Sequence, residues 1–374
     1  MTTILIPTRV RYSFHGGVGQ VVRMLGAVAP DCGHSLIDLD GVTIGGPSPT
    51  QSRTPWVTLK RRLLHLRTLA FFPSFFPRTP LVFFQTSLNK NSLLRDTAYM
   101  RRCHRTGRPF SVLVHGWNEQ FADSVSASSR RRKRLARILN QANRILVLAP
   151  NFADTLALWG VEKAKILVET TMIDDDIFAD FDIEEKIRSR KARHGLQILF
   201  MSRIVKQKGI YQAIEAFRAH SARFPDSSLL IAGDGEELQA VKDHVNRESI
   251  EGVRIVGFVD GPEKRNVLAN ADVFLFPSFY GEGLPVTLLE AMAFGSTVIS
   301  RPVGGIGHFF IEPEMGYVDA SLDPHRFGAL LDKVAQNPNL WAATARFNHW
   351  FSRENVLASR VCRRILDEVT KDIG

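Results

Sequence analysis

Glu282 and Glu290 lie in the run Gly281-Glu-Gly-Leu-Pro-Val-Thr-Leu-Leu-Glu-Ala-Met-Ala-Phe-Gly295, just after the apolar stretch Val273-Phe-Leu-Phe276. These residue types in this order suit recognition of phosphate and sugar together. Gly281 and Gly283 let a ligand approach the backbone closely, and Leu284-Pro285 marks the first turn of a helix, where a missing N–H is no loss. The free N–H groups of a helix start can bind a phosphate. Helical side chains lean toward the N-terminus, so Glu290, in the second turn, can face the same ligand as Glu282 in the loop. Carboxylates accept pairs of sugar hydroxyls, and no metal-ligand cluster surrounds these two.

Other elements fit the same chemistry. The run Ile198-Leu-Phe-Met-Ser-Arg203 reads as a buried strand ending in a cation, and Lys208-Gly209 follows five residues later. Arginine grips phosphate oxygens with parallel donors and lysine adds a compact charge, so Arg203 and Lys208 can meet a diphosphate. Arg254-Ile-Val-Gly257-Phe258-Val259 is a strand ending in an aromatic residue, which taken alone reads as core. Gly233-Asp-Gly-Glu236 predicts a turn with close backbone approach. At the amino terminus, Tyr12-Ser-Phe-His15 leads to Gly16-Gly17-Val18-Gly19 and a helical pattern. That turn can cradle phosphate and fits dinucleotide binding equally; Asp38 and Asp40 keep the second option open. His115 ends the strand Ser111-Val-Leu-Val114 and precedes Gly116, a place suited to meeting a ligand.

The carboxylate pair, with Gly-Leu-Pro inside it and Glu-Ala-Met-Ala-Phe-Gly at its end, resembles the signature of glycosyltransferase family 4. These are retaining, nucleotide-sugar-dependent enzymes of the GT-B architecture. The resemblance spans nearly the full chain, strongest across 198–320 and weakest across 41–110. It implies that Arg203 and Lys208 contact the donor diphosphate and that Gly16 and Gly17 lie against the donor phosphates. Gly257, Phe258 and Val259 would read the base, Glu290 would hold the ribose, and Gly283, Leu284 and Pro285 would line the donor. Glu282 and His115 would contact the donor sugar, making His115, Glu282, Arg203 and Lys208 the catalytic set. No cofactor or metal is expected; the co-substrate would be a UDP or GDP sugar. Two segments depart from the family. Gly116-Trp117-Asn118 stands where an acidic residue often follows the histidine, and Glu169-Thr170-Thr171 replaces a Pro-Asn-Gly-like turn before Asp174, which is left out of the binding set.

Short apolar runs alternate with helical patterns, as parallel α/β units do. Strands are predicted at Ile4–Pro7, Leu36–Leu39, Leu81–Phe84, Ser111–Val114, Ile145–Leu148 and Ile166–Val168. The second half adds Ile198–Met201, Leu229–Ala232, Arg254–Val256, Val273–Phe276 and Val298–Ile299. Helical spacing appears at Val18–Val28, Ile210–Phe217 and Phe327–Val334. The expected fold is α/β, with two Rossmann-like doubly wound domains facing a cleft. The first domain takes residues 1–178, joined by a C-terminal helix from 351–374. A charge-segregated linker covers 179–195, and the nucleotide-sugar domain covers 196–350. Ligands of such sheets bind outside the carboxyl ends of the strands.

A chain of 374 residues suits two such domains, and 44% hydrophobic with 23% charged residues is ordinary for a soluble protein. The first seventeen residues predict no secretory signal, and no apolar stretch is long enough to span a bilayer. Cys32, Cys103 and Cys362 read as free thiols. The net charge of +10 divides as +13 over residues 1–195 and −3 over 196–374. In the first half, Lys60–Arg67, the Phe-rich Leu69–Pro77 and Arg130–Arg137 interleave cations with apolar residues. That suits an anionic membrane surface, with packed core and solvated charge as the plain alternative for the Phe-rich stretch. Nucleic acid is not an expected partner, since no binding motif accompanies the charge. The expectation is a cytoplasmic enzyme on the inner face of the plasma membrane, acting on a glycan or lipid-linked acceptor. A sugar-nucleotide epimerase or phosphorylase is the enzyme alternative, and a basic nucleic-acid-binding protein the non-enzyme one.

Overall fold

The computed structural model describes residues 2–7, 17–38, 81–281, 283–371 and 373. The chain divides into two compact units. The first comprises Met1–Met172, Gly281–Leu284 and Ala358–Gly374; the second comprises Ile173–Tyr280 and Pro285–Leu357.

In the first unit, β1 (Thr2–Ile6), β2 (His34–Asp38), β3 (Leu81–Leu88), β4 (Phe110–Trp117), β5 (Ile145–Val147) and β6 (Ile166–Val168) form one parallel sheet. Their order is β2-β1-β3-β4-β5-β6. In the second, β7 (Gln197–Met201), β8 (Ser228–Ala232), β9 (Val253–Gly257), β10 (Val273–Phe276), β11 (Thr297–Ser300) and β12 (Gly316–Val318) do the same. Their order is β12-β11-β10-β7-β8-β9. Helices cover both faces of such sheets, which is why central strands such as Val273-Phe-Leu-Phe276 are apolar at every position. Strand order reverses between β1 and β3 in one sheet and between β7 and β10 in the other. Ligands of open α/β sheets bind at such switch points.

Every strand expected from the apolar runs is present, Ile166–Val168 and Val273–Phe276 with the expected bounds and the others with shifted ends. β12 was not foreseen. Its three residues carry no periodic pattern and become a strand by pairing Gly316–Val318 with Val298–Ser300. Two other expectations meet a different structure. The final helix is two helices, Pro338–Asn355 and Ala358–Thr370. They break where Ile173 N donates to Val356 O and Ile173 bridges Leu357. The stretch expected as a linker contains the helix Ile183–Lys191 and belongs to the second unit. Its charge segregation has a helical cause: Asp182 caps Glu184 N and Glu185 N, acidic residues fill the first turn, and Arg188, Arg190 and Lys191 the last. That arrangement complements the helix dipole. Among the described residues, no helix is long and apolar enough to cross a membrane.

This helix also buries a lysine. Lys186 Nζ donates to Ala271 O and Phe294 O, both at 2.6 Å, below the start of β10 and the end of the helix Val286–Ala293. Burial lowers its pKa from the ordinary 10.5 to about 7, against the opposing charge of Asp272. A neutral amine still offers an N–H to each carbonyl. Above pH 7 the unfolded chain therefore holds a proton that the folded chain does not, so Lys186 makes stability rise with pH. Chemical denaturation from pH 7 to 9 should show wild-type stability gaining on that of Lys186→Met, by up to about 1.4 kcal/mol per pH unit. Parallel curves would show that Lys186 stays charged in the fold.

Candidate functional site

In the second unit the predicted cations do come together. β7 ends at Met201, and the following loop is tied down by Ser202 N to Ala232 O at 3.1 Å and Ile204 N to Asp234 O at 2.9 Å. Gly233 and Gly235 make this possible. A Cβ on them would fall 1.8 Å from Ser202 O and 2.3 Å from Ile204 O, so the expected close backbone approach is made by the protein's own loop. A 3-10 turn, Lys206–Lys208, then leads into the helix Ile210–Ser221. The loop after β10 is stitched to that turn by Phe279 N to Gln207 O at 2.9 Å. The stitch brings in Tyr280, which the sequence reading had not singled out. Lys208 Nζ lies 4.9 Å from its ring centroid, Arg203 Cζ lies 5.8 Å away, and Phe276 flanks Lys208 at 5.5 Å. Arg203 is exposed while Lys208 is buried.

Pro285 is the N-cap of the helix Val286–Ala293, one position before the first turn where it was expected, and Glu290 lies inside the helix, 3% exposed. Its Oε1 accepts from Lys264 Nζ at 2.6 Å, across from the helix Gly261–Asn270. Its Oε2 has no hydrogen-bond partner among the described residues. Burial pushes the Glu290 carboxyl above the usual range; Lys264 opposes this, while Asp174 and Asp260 add to it. Lys264 was missed because Glu263-Lys264-Arg265 looks like an ordinary solvated helix turn. At the end of β9, Gly257 has φ +77° and open space where a Cβ would stand. Phe258 is 48% exposed rather than core, and Val259 is buried.

In the first unit, His115 sits on β4 at an irregularity: Thr86 pairs with Val114 and Ser87 with Gly116, so His115 is the extra residue. A bulge re-aims a side chain. Here it brings His115 Nε2 to 2.5 Å from Gln85 Oε1 on β3. Gln85 escaped notice inside an apolar strand, although a lone amide there already signals a polar partner. The oxygen can only accept, so His115 holds its proton on Nε2 and keeps a lone pair on Nδ1. Desolvation lowers its pKa to about 4, leaving the ring neutral near pH 7. Gly281–Leu284 belongs to this same unit; a Cβ on Gly283 would meet His115 O at 1.7 Å, and Leu284 is buried.

Both departures have structural uses. Trp117 stacks on Phe152 at 4.2 Å, and Asn118 Oδ1 caps the helix Glu119–Ser126 through Phe121 N. Glu169 accepts two hydrogen bonds from Arg364, at 2.8 and 2.7 Å, while Asp174 caps Asp176 N. Gly17 opens the helix Gly17–Val28, and Asp38 closes β2. Gly16, Glu282, Tyr12, His15, Asp40, Lys60–Arg67 and the Phe-rich Leu69–Pro77 lie outside the described residues. Among the described residues, no cluster of three or more His, Cys, Asp or Glu could hold a metal ion. Among the described residues no disulfide joins Cys32, Cys103 or Cys362.

Residues 182–347 match the protein-family model described as "Glycosyl transferases group 1". The chain is 28% identical over 250 residues to the amylovoran biosynthesis glycosyltransferase AmsK of Erwinia amylovora, covering 64% of this chain and 59% of that protein. The match thus spans less than two thirds of the relative. Among solved structures, sucrose-phosphate synthase from Thermosynechococcus elongatus superposes with a TM-score of 0.76 at 17% identity, covering 99% of both chains. HepE of Anabaena, solved in complex with UDP-glucose, gives 0.73 at 14% identity, covering 99% of this chain and 100% of that one. The fold is the two-domain α/β fold of the GT-B proteins. Together the matches relate residues 182–347 to group 1 glycosyl transferases and the whole chain to the fold of these two structures.

Tyr280 supplies an aromatic face to both cations, an attraction of roughly 0.5–2 kcal/mol. Tyr280→Ala should therefore lower the affinity of the two cations for a diphosphate by about twofold to thirtyfold in calorimetry, with Tyr280→Phe near wild type. Wild-type affinity in the alanine variant would remove Tyr280 from the site.

Proposed function

We propose that this protein is a retaining glycosyltransferase of the family 4 kind. It moves a sugar from a nucleoside-diphosphate sugar to a glycan or lipid-linked acceptor, in cell-surface polysaccharide or glycolipid synthesis. One observation carries the reading: Arg203 and Lys208 follow β7 and converge on Tyr280, beyond β10, where the strand order of the second sheet reverses. Two cations at a switch point suit a diphosphate. The Erwinia relative's role in amylovoran biosynthesis supports the polysaccharide setting, and the UDP-glucose bound to HepE supports a UDP sugar over a GDP sugar.

In this reading Arg203 and Lys208 stabilise the charge that develops on the departing diphosphate, with the N–H groups after Pro285 beside them. To Gly16 and Gly17 we assign the role of meeting the donor phosphates. Glu290 holds the ribose, and Gly257, Phe258 and Val259 meet the base. Glu282 holds the donor sugar, and Nδ1 of neutral His115 accepts one of its hydroxyls. The acceptor hydroxyl attacks from the face the diphosphate leaves, so configuration is retained. Since the two cations do at the diphosphate what a metal would, transfer proceeds without one. Arg203→Ala and Lys208→Ala should each weaken UDP binding about tenfold or more with the fold intact, and wild-type transfer should survive EDTA. Unchanged UDP affinity in both variants, or activity lost to EDTA and restored by magnesium or manganese, would overturn the mechanism.

We also place the protein on an anionic membrane face, the cytoplasmic one, through its first unit. The helix Ser129–Leu139 buries Leu135, Ala136, Ile138 and Leu139 and exposes Arg130, Arg131, Lys133, Arg134 and Arg137. Each such cation near an acidic bilayer contributes about 1 kcal/mol. The protein should co-sediment with acidic-lipid vesicles at low salt and release as salt rises. Replacing Arg130, Arg131 and Arg134 with glutamine should reduce vesicle binding and leave UDP binding unchanged. A wild-type protein that ignores acidic vesicles at low salt points instead to a soluble acceptor.

A further inference from the structure

The pairing of Lys264 with Glu290 is lopsided. Lys264 Nζ reaches Oε1 at 2.6 Å, and both side chains are buried, at 8% and 3% exposed. Oε2 is just as buried and meets no donor among the described residues. Taking two charges out of water costs several kcal/mol, and the loss is recovered when the remaining lone pairs are also satisfied. A pair kept for stability alone would engage both carboxylate oxygens. Among the described residues this one leaves one of its two carboxylate oxygens unused inside the protein, in the second turn of the helix Val286–Ala293.

The surrounding charges sharpen the point. Asp174 and Asp260 both disfavour ionisation of Glu290, as burial does, and Lys264 is the cation that counters them. Without Lys264 the carboxyl would take up a proton more readily, and a carboxylic acid is a poorer acceptor for a hydroxyl than a carboxylate. We infer that Lys264 is a positioning residue: it occupies Oε1, keeps Glu290 ionised and holds Oε2 ready to accept a hydroxyl of the donor's ribose. The inference rests on the assignment of Glu290 to the ribose. It makes the Lys264–Glu290 pair the element that distinguishes a ribonucleotide from a deoxynucleotide, while the diphosphate is held independently by Arg203 and Lys208.

Calorimetry with UDP and 2′,3′-dideoxy-UDP tests this, with GDP and its dideoxy counterpart run in parallel. Wild type should prefer the ribonucleotide by about tenfold or more, the scale of a hydrogen bond to a charged acceptor. Lys264→Met should abolish most of that preference by weakening the ribonucleotide alone, and Lys264→Arg should restore it. In K264M the remaining ribonucleotide affinity should recover as pH is raised, since Glu290 then ionises at higher pH. A purely structural lysine would weaken both nucleotides equally and show no such recovery. If K264M does not fold, the charge-free double variant K264M/E290Q is compared with E290Q. Equal UDP affinities support action through Glu290, whereas weaker binding by the double variant shows that Lys264 acts on the nucleotide directly and overturns the inference. The two readings fail separately. A wild-type ribose preference retained in E290Q removes the ribose from Glu290; a preference lost in E290Q but retained in K264M leaves that assignment standing and removes Lys264 from it.

Discussion

Asp272 is the residue on which the second unit turns. It is fully buried just before β10 and lies 3.0 Å from Arg193 and 3.2 Å from Arg190. Its carboxylate also accepts from Gln197 N at 2.8 Å, and its backbone N donates to Gln197 O. Its carbonyl accepts from Thr297 N and from Trp341 Nε1. One residue thereby joins the starts of β7, β10 and β11 to two helices. A buried carboxylate stripped of its partners costs several kcal/mol, so a slip of β10 against β7 is strongly disfavoured. The register set at this end decides what emerges at the other, where Arg203 and Tyr280 follow the same two strands.

Two polar pairs, one in each unit, share a different logic. Lys264–Glu290 and Gln85–His115 are each short contacts, and each leaves a buried polar atom with no partner among the described residues: Glu290 Oε2 and Gln85 Nε2. Most buried polar groups in a fold are satisfied, so such remainders mark places where packing is not the purpose. In both, the partner sets a protonation state. Lys264 favours the carboxylate, and the Gln85 oxygen selects the tautomer of a histidine that desolvation already keeps neutral. Each partner thus fixes the state of its neighbour within the fold itself.

The sequence carried local signals well wherever they were dense. The apolar runs located the strands because parallel strands are buried on both faces, and Pro285 marked a helix start because its ring suits that position alone. Glycines were legible as sites of close approach, but their partner was not. Gly233 and Gly283 accommodate Ser202 O and His115 O, contacts that no spacing rule could supply. The polar stretch 179–195 misled for a related reason: charge sorted along a segment describes a dipole-matched helix as well as a linker, and burial of Ile187 and Lys186 decides between them.

By itself, then, the sequence determined the alternating α/β elements, the cation pair Arg203 and Lys208, the carboxylate Glu290 and the histidine at a strand end. These rest on residue type and on spacing within one element, which are local properties. Tertiary structure decided the partners. Tyr280 reaches the cations because strand order reverses between β7 and β10, Lys264 meets Glu290 across two helices, and Gln85 meets His115 across a bulged strand pair. Each joins residues many positions apart in the chain. Which pairs meet depends on sheet order, register and helix packing, and those follow from the burial of the whole core rather than from any single run of residues.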